Sequence, residues 1–280
     1  MPAGIVETAQ AKVNLALHVL GRRDDGYHQL DSAVAFAGAG DLITVSPRAG
    51  EGVSLSVSGH FAAAVPTGPD NLICKAYSVL AQHVALPAVA VHLEKNLPVA
   101  SGIGGGSADA AAALRAYLRL ADAPLPADVM TTVALALGAD VPVCLHQKAC
   151  RMEGVGELLS PLPRLPAPAI VLVNPGVPCE TAAVFKALGL QKGQAHRDAM
   201  DVQKPETWRN DLTEPATAAQ PKIAGVLDAL AREKGLVASR MSGSGATCFG
   251  LAETLADAER VAASLRADHP DWWVSASLLS

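Results

Sequence analysis

The sequence predicts an α+β chain in two parts: an N-terminal α/β domain over residues 1–160 and a C-terminal ferredoxin-like domain over 161–280. Three observations carry this. Short stretches with period-two alternation recur through the first part of the chain. A glycine-rich stretch at 102–106 leads into a run of small residues that reads as a helix. Beyond the proline-rich stretch 161–168, which marks the domain boundary, the main elements fall in the order βαββαβ.

The bulk numbers fit such a chain and exclude several function classes. Half of the 280 residues are hydrophobic (50%), ample for a core. The 22 Lys and Arg against 27 Asp and Glu give a net charge of −5, and no basic run interleaves with aromatics, so nucleic acid is not an expected partner. Five cysteines, at 74, 144, 150, 179 and 248, are scattered and never form C-x-x-C. They read as buried small residues in a reducing compartment, neither disulfides nor zinc ligands. The first twenty residues lack the basic start and apolar core of a secretory leader. No apolar run approaches the roughly 18 residues a membrane helix needs, so no membrane is expected. The expected protein is cytoplasmic, a monomer or homodimer.

In chain order, 12–19 (KVNLALHV) alternates, with Val13, Leu15, Leu17 and Val19 on one face and Lys12, Asn14, Ala16 and His18 on the other. Lys12 and Asn14 then project into one space; the same pattern also fits an edge strand showing Lys to solvent. The polar turn 21–28 ends in Tyr27 and His28, which as an isolated pair reads equally as a loop aromatic capping the core. Further strands are expected at 41–46, 53–57 and 89–95. Asp70 and Asn71 cap a helix running to about 83. A helix opens at Pro126 and runs to about 137, ending at Gly138. Asp140 follows between apolar residues, where a carboxylate must be solvated, paired or functional; a surface turn before Pro142 would satisfy the first. In the second half, strands are expected at 169–173, 237–241, 246–251 and 272–277, with helices at 221–234 and 254–267. An extra short helix at 181–188 and a mobile polar excursion at 191–205 interrupt them. Phe185, near that short helix, is by itself an ordinary core residue. The stretch 241–247 (MSGSGAT) is a second glycine loop between strands, which a plain hairpin turn would also explain.

The chemistry is most legible at 97–113, LPVASGIGGGSADAAAA. Glycine lets a ligand approach bare backbone N–H groups. A helix starting at about Ser107 aims its unpaired N–H groups and the positive end of its dipole at the same place. Loop and helix start together make an anion site, most often for phosphate. A surface turn is the alternative. Two other phosphate loops are excluded: Ser107, not Lys, follows Gly106, and the dinucleotide spacing G-x-G-x-x-G fails because Asp109 stands at its last position.

This loop resembles the second motif of the GHMP kinases, the family of galactokinase, homoserine kinase, mevalonate kinase and phosphomevalonate kinase. AKVNLALHVLGRRDDGYHQLDS resembles the family's first motif, LGADVPVCL its segment with the catalytic Asp, and MSGSGAT its third motif, which packs near the phosphate loop. Ala108 stands where members usually carry a second hydroxyl, and Ser101 where they carry Ala or Gly. The resemblance spans essentially the whole chain. It implies a two-domain GHMP-kinase architecture with the active site in the cleft between the domains. It further implies phosphoryl transfer from ATP, with Mg²⁺, to a small-molecule alcohol. The Tyr-His pair points to a cytidine diphosphate substrate.

By the same resemblance, Lys12 and Asp140 are catalytic: Asp140 takes or orients the hydroxyl proton and Lys12 offsets developing charge. ATP would be held by Pro98, Val99, Ala100, Ser101, Gly102, Ile103, Gly104, Gly105, Gly106, Ser107 and Ala108, with Asn71 and Lys75 as nucleotide contacts. Helix capping competes for Asn71. Ser107 and Asp140 are the candidate metal ligands. Asn14 positions the substrate, Tyr27 stacks on its base with Phe185 on the other side, His28 hydrogen-bonds the base, and Thr181 is a neighbour. A different small-molecule kinase of the family, or a non-catalytic nucleotide-binding relative, are the competing readings; a dinucleotide-dependent oxidoreductase has the wrong glycine spacing.

Overall fold

The computed structural model describes residues 4–280; residues 1–3 lie outside the described residues. The chain forms two compact units that interleave along the sequence. One holds the chain up to Ala11, Gly40–Val99 and Gly104–His146; the other holds Lys12–Ala39, Ala100–Ile103 and Gln147–Ser280. A single cut between 160 and 161 does not describe these units. Two long strands, β1 (Ile5–Arg22) and β2 (His28–Pro47), pair with each other and contribute residues to both. Alternation marked only part of each strand. The first half of β2 is a run of small apolar residues without a period, and it is buried from Asp31 to Ala37.

In the first unit, β3 (Val53–Ser58) runs parallel to β4 (Val89–Glu94), which pairs antiparallel with the second half of β2. Helices α1 (Leu72–Leu80), α2 (Gly105–Ala121), α3 (Ala127–Leu137) and α4 (Val141–His146) pack together beside them. The alanines of α2 permit close approach: Ala110 to Ala113 and Ala116 have no exposed surface. Tyr117 of α2 is buried, meets Tyr77 of α1 edge-on at 5.6 Å, and donates its hydroxyl to Ile73 O at 3.2 Å. The turn expected before Pro142 is present at Ala139 and Asp140, closed by Val141 N donating to Gly138 O at 3.1 Å, and α4 follows with this proline as its second residue, where a missing N–H costs nothing.

In the second unit, the first half of β2 pairs with β5 (Cys150–Gly154), which forms a hairpin with β6 (Leu158–Pro161). Then come β7 (Ala169–Asn174), α5 (Thr181–Ala187), α6 (Thr213–Ala219), α7 (Lys222–Arg232), β8 (Leu236–Met241), β9 (Cys248–Ala252), α8 (Leu255–Asp268) and β10 (Trp273–Leu278). Their sheet is antiparallel in the order β10-β7-β9-β8. This is the ferredoxin-like arrangement, in which the βαββαβ order places the first and third strands at the centre. β7 is buried at every position because it is central and covered. The core joins it, through Val171 and Val173, to Ile223, Val226 and Leu230 of α7 and Val261 and Leu265 of α8.

The polar stretch 191–205 is not the loose excursion its composition predicts. Gln194 O accepts from Arg22 N and Gly193 N donates to Arg22 O, both at 2.8 Å, so the stretch is laid along the end of β1. Met200 is buried, and its N–H donates to Asp31 at 2.7 Å. Among the described residues no helix is long and apolar enough to cross a membrane, and the five cysteines are buried and form no disulfide.

Candidate active site

α2 begins two residues earlier than the run of small residues implied, at Gly105, with Gly104 as its N-cap in the left-handed region (φ 64°). No side chain caps this end. The N–H groups of the first turn, from Gly105, Gly106 and Ser107, are therefore without intrahelical carbonyls, as an anion site requires. Ala100 and Gly102 also have positive φ (50° and 76°).

Beneath this helix start lies a buried ionic cluster that the sequence motifs did not single out. Lys95 Nζ sits 2.6 Å from Asp41 Oδ2 and 2.7 Å from Asp109 Oδ2, with all three side chains nearly inaccessible. Asp41 Oδ1 accepts from Asn96 N at 2.6 Å and Leu97 N at 2.8 Å, so the cluster grips the backbone that enters the glycine loop. Burial opposes the charge on Lys95, but Asp109 and Asp41 more than offset it and raise its pKa. Asp109 is pushed up to about 7, by burial first and with the like charge of Asp41 adding, against the attraction of Lys95. A signal was present: Asp109 is a carboxylate set within a run of alanines, a place where it must be buried with a partner.

The pH consequence has a definite sign. The folded-state pKa of Asp109 lies above its ordinary value, so the folded protein holds a proton that the unfolded chain releases. The associated stability is complete below about pH 4 and is lost as pH rises through about 7. Asp109→Asn keeps an acceptor for Lys95 but cannot ionise. Thermal melts should show Asp109→Asn gaining on the wild type between about pH 5 and about pH 8; parallel curves would reject the elevated pKa.

Outside the glycine loop, the predicted site residues of the first unit are Asp140, Asn71 and Lys75. Asp140 is half-buried immediately before α4, and its carbonyl accepts from Cys144 N at 3.2 Å. Asn71 caps α1: its Oδ1 accepts from Ile73 N at 2.9 Å and its Nδ2 donates to Pro66 O at 2.7 Å. Lys75, one turn into α1, is exposed and lies 3.3 Å from Asp70.

In the second unit, Lys12 and Asn14 are buried, not displayed on a solvent-facing edge. Lys12 N donates to Ile103 O at 3.0 Å, fastening β1 to the glycine loop. Asn14 Nδ2 donates to Ser32 Oγ at 2.8 Å, and Ser32 Oγ in turn donates to Ala16 O at 2.5 Å. The loop 242–247 packs on the glycine loop. Ser242 Oγ accepts from Asn14 N at 3.0 Å and donates to Gly102 O at 2.9 Å, and Thr247 N donates to Ser101 O at 3.0 Å. A Cβ at Gly102 would fall on the backbone of Ser242 and Gly245, so only glycine suits this approach.

The aromatic residues also lie in this unit. His28 packs on Phe185 with ring centroids 4.7 Å apart and planes tilted by 31°, while Tyr27 is 63% exposed. The ring facing Phe185 is thus that of His28; Tyr27 is left on the surface. Burial, then the positive charge of Arg22, lowers the pKa of His28, so the ring is neutral at pH 7. Thr181 Oγ1 lies 2.9 Å from Ser244 Oγ.

Among the described residues, the buried side-chain nitrogen and oxygen atoms without a hydrogen-bond partner are Asn14 Oδ1, His28 Nε2 and Asp109 Oδ1. Such atoms are costly unless a ligand completes them. Two of the three belong to residues that the motifs assigned to substrate.

An uncapped helix start fed by a glycine loop, in a chain whose first strand carries a buried Lys and Asn, marks a phosphate-handling fold, and the fold of the second unit narrows the class. The model of the GHMP kinases N-terminal domain matches residues 71–148, and that of the GHMP kinases C-terminal domain matches 186–271. The chain belongs to the GHMP kinases. It is 50% identical over 283 residues to the 4-diphosphocytidyl-2-C-methyl-D-erythritol kinase of Dinoroseobacter shibae, covering 97% of this chain and 93% of that one. It is also 50% identical, over 281 residues, to the same kinase of Paramagnetospirillum magneticum, with 97% and 98% covered. A crystal structure of 4-(cytidine 5'-diphospho)-2C-methyl-D-erythritol kinase superposes with a TM-score of 0.80 at 33% identity over 99% of both chains. The homoserine kinase of Cytophaga hutchinsonii, at 15% identity and a TM-score of 0.69, shares the fold.

Proposed function

We propose that this chain is an ATP-dependent kinase that phosphorylates the 2-hydroxyl of 4-diphosphocytidyl-2-C-methyl-D-erythritol, giving the 2-phosphate and ADP in the non-mevalonate route to isoprenoid precursors. The observation that carries the substrate class is His28. A neutral, half-buried ring packs at a tilt on Phe185 with its buried Nε2 unsatisfied, which suits the edge of a nucleobase. A sugar or amino-acid alcohol has no use for such a pair. The full-length identity of half the residues to kinases of that name supports the same choice.

The loop 98–108 holds the ATP phosphates, mainly through backbone N–H groups at the start of α2. Its loss of a second hydroxyl at Ala108 leaves that backbone cradle intact. Asn14 Oδ1 takes a donor from the substrate, and Tyr27 and Phe185 supply flat surfaces for the base. Asn71 acts as the cap of α1, and Lys75 as an exposed cation at the nucleotide side. In the transfer, the substrate 2-hydroxyl oxygen bonds to the γ-phosphorus, its proton goes to the Asp140 carboxylate, and the bond to the β,γ-bridging oxygen breaks to release ADP. Lys12 offsets the negative charge that builds on the phosphoryl oxygens.

Among the described residues no group of three or more His, Cys, Asp or Glu forms a metal cage. Mg²⁺ accompanying a nucleotide keeps several waters and takes only one or two protein oxygens. The Ser107 hydroxyl beside open N–H groups, with the Asp140 carboxylate as the second oxygen, fits that sparse demand. When bound, Mg²⁺ neutralises charge on the phosphates.

The test is ADP release with ATP, Mg²⁺ and each of four acceptors: 4-diphosphocytidyl-2-C-methyl-D-erythritol, mevalonate, homoserine and galactose. Turnover is expected on the first alone and should fall when CMP competes for the base site. Turnover on another alcohol would keep the family and discard the base clamp; ATP binding without turnover on any would make the chain a nucleotide-binding regulator.

A further inference from the structure

The triplet Asn210-Asp211-Leu212, immediately before α6, takes no part in the transfer chemistry. The structure gives it work at a distance. Its backbone runs beside β1: Leu17 N donates to Arg209 O at 2.8 Å and Asp211 N donates to Leu17 O at 2.9 Å. The Asp211 carboxylate accepts from Val19 N at 2.8 Å and from Arg209 Nε at 2.7 Å, which locks the triplet to the strand that carries Lys12 and Asn14.

From this fixed base the Asn210 side chain reaches the loop between β8 and β9. Its Nδ2 donates to Met241 O and to Gly243 O, each at 2.8 Å, while its Oδ1 accepts from Leu212 N at 2.9 Å. Both hydrogens of the buried amide, and its oxygen, are thus committed. The loop it holds turns through left-handed Gly243 (φ 55°) and Gly245 (φ 87°), conformations that glycine adopts freely and that need outside contacts to choose one. The opposite side of the loop bears the useful contacts: Ser242 Oγ joins Asn14 N to Gly102 O, Thr247 N holds Ser101 O, and Ser244 Oγ meets Thr181. Asn210 acts on these residues through the carbonyls of Met241 and Gly243.

We propose that Asn210 is a positioning residue: it sets the turn of the 242–247 loop, and the loop then aligns the glycine loop with the substrate strand. The substrate half of this inference rests on the kinase reading above; the glycine-loop half does not. The chemistry requires an NH₂ group, because two carbonyls converge on one nitrogen. Asn210→Ala leaves both carbonyls without their donor. Asn210→Asp is isosteric but sets a carboxylate against them and should be the worse variant.

The experiment measures Kd for ATP by titration calorimetry and the kcat and KM values of both substrates, for wild type, Asn210→Ala, Asn210→Asp, Ser242→Ala and the double variant Asn210→Ala/Ser242→Ala. Asn210→Ala is expected to weaken ATP binding and raise both KM values by about tenfold, with the melting temperature within a few degrees of wild type. Asn210→Asp should lose more. Because both residues act through one loop, the double variant should lose little beyond the worse single variant. A fall in kcat that only tracks the folded fraction, with Kd and KM unchanged, would overturn the proposal, as would additive losses in the double variant. Should the wild type bind ATP but ignore the cytidyl alcohol, the Kd series still decides the role of Asn210, while the substrate assignment alone would fall.

Discussion

Asp140→Asn should lower kcat by about 10²–10⁴-fold and Lys12→Met by about 10²–10³-fold, each with the fold retained. The two changes probe different demands of one reaction. An alcohol is a poor nucleophile until its proton has somewhere to go, and the amide introduced by Asp140→Asn would match the carboxylate in shape but could not accept that proton. Phosphoryl transfer builds charge on the equatorial oxygens, and Lys12→Met keeps an apolar stem while removing the cation. Lys12 is only 4% exposed, so its charge would act in a low-dielectric setting, where a preorganised cation is worth most. Stability should change little at Asp140, which is half-buried at a helix junction. Melts and circular dichroism check the fold, and steady-state ADP release checks the chemistry. KM for ATP is expected to stay within about threefold in Asp140→Asn, since the loss belongs to the transition state. A variant with near-normal kcat would remove that residue from the mechanism.

Sequence legibility followed period and chemistry. Alternation marked β3, β4 and part of β1, and proline and glycine punctuation placed α3 within a residue of its observed start. The βαββαβ order was readable because each element there has a conventional signal, down to the Thr254 cap of α8. The first half of β2 was not, because a buried small-residue strand has no period to detect. The stretch 191–205 looked loose because its composition is polar, yet its backbone bonds run to β1. At the site, the motif residues Lys12 and Asn14 proved buried, and Asn14 and His28 each hold an unsatisfied atom. Lys95, Asp41 and Ser242 escaped notice because each matters through a partner distant in the chain. Asp41 meets Lys95 across 54 positions, and Ser242 meets Asn14 across 228. Spacing rules see neighbours at three, four or two residues, and such pairs lie beyond them.

The largest stability effect is expected at Lys95. Lys95→Met would leave Asp41 and Asp109, with side chains 0% and 7% exposed, facing each other without their shared cation. Removing one partner from a buried ionic cluster costs about 3–5 kcal/mol, because the remaining charge has neither water nor counterion. For a chain of this size that corresponds to a melting temperature lower by roughly 10 °C. The penalty has a pH signature. Without the ammonium, Asp109 would find relief only by taking up a proton, so the deficit should be smaller at about pH 5.5 than at about pH 8.5. It should also yield to a second change: Lys95→Met/Asp109→Asn removes one of the stranded charges and should recover part of the loss. The same cluster holds the N–H groups of Asn96 and Leu97 through Asp41, so its disturbance should reach the glycine loop and weaken ATP binding even in the folded fraction. Melts at the two pH values, with ATP titrations below the transition, separate these effects. A Lys95→Met protein that melts within a degree or two of wild type at the higher pH would show that the cluster contributes nothing to the folded state. A variant with lowered stability and unchanged ATP affinity would confine its role to the core beneath α2.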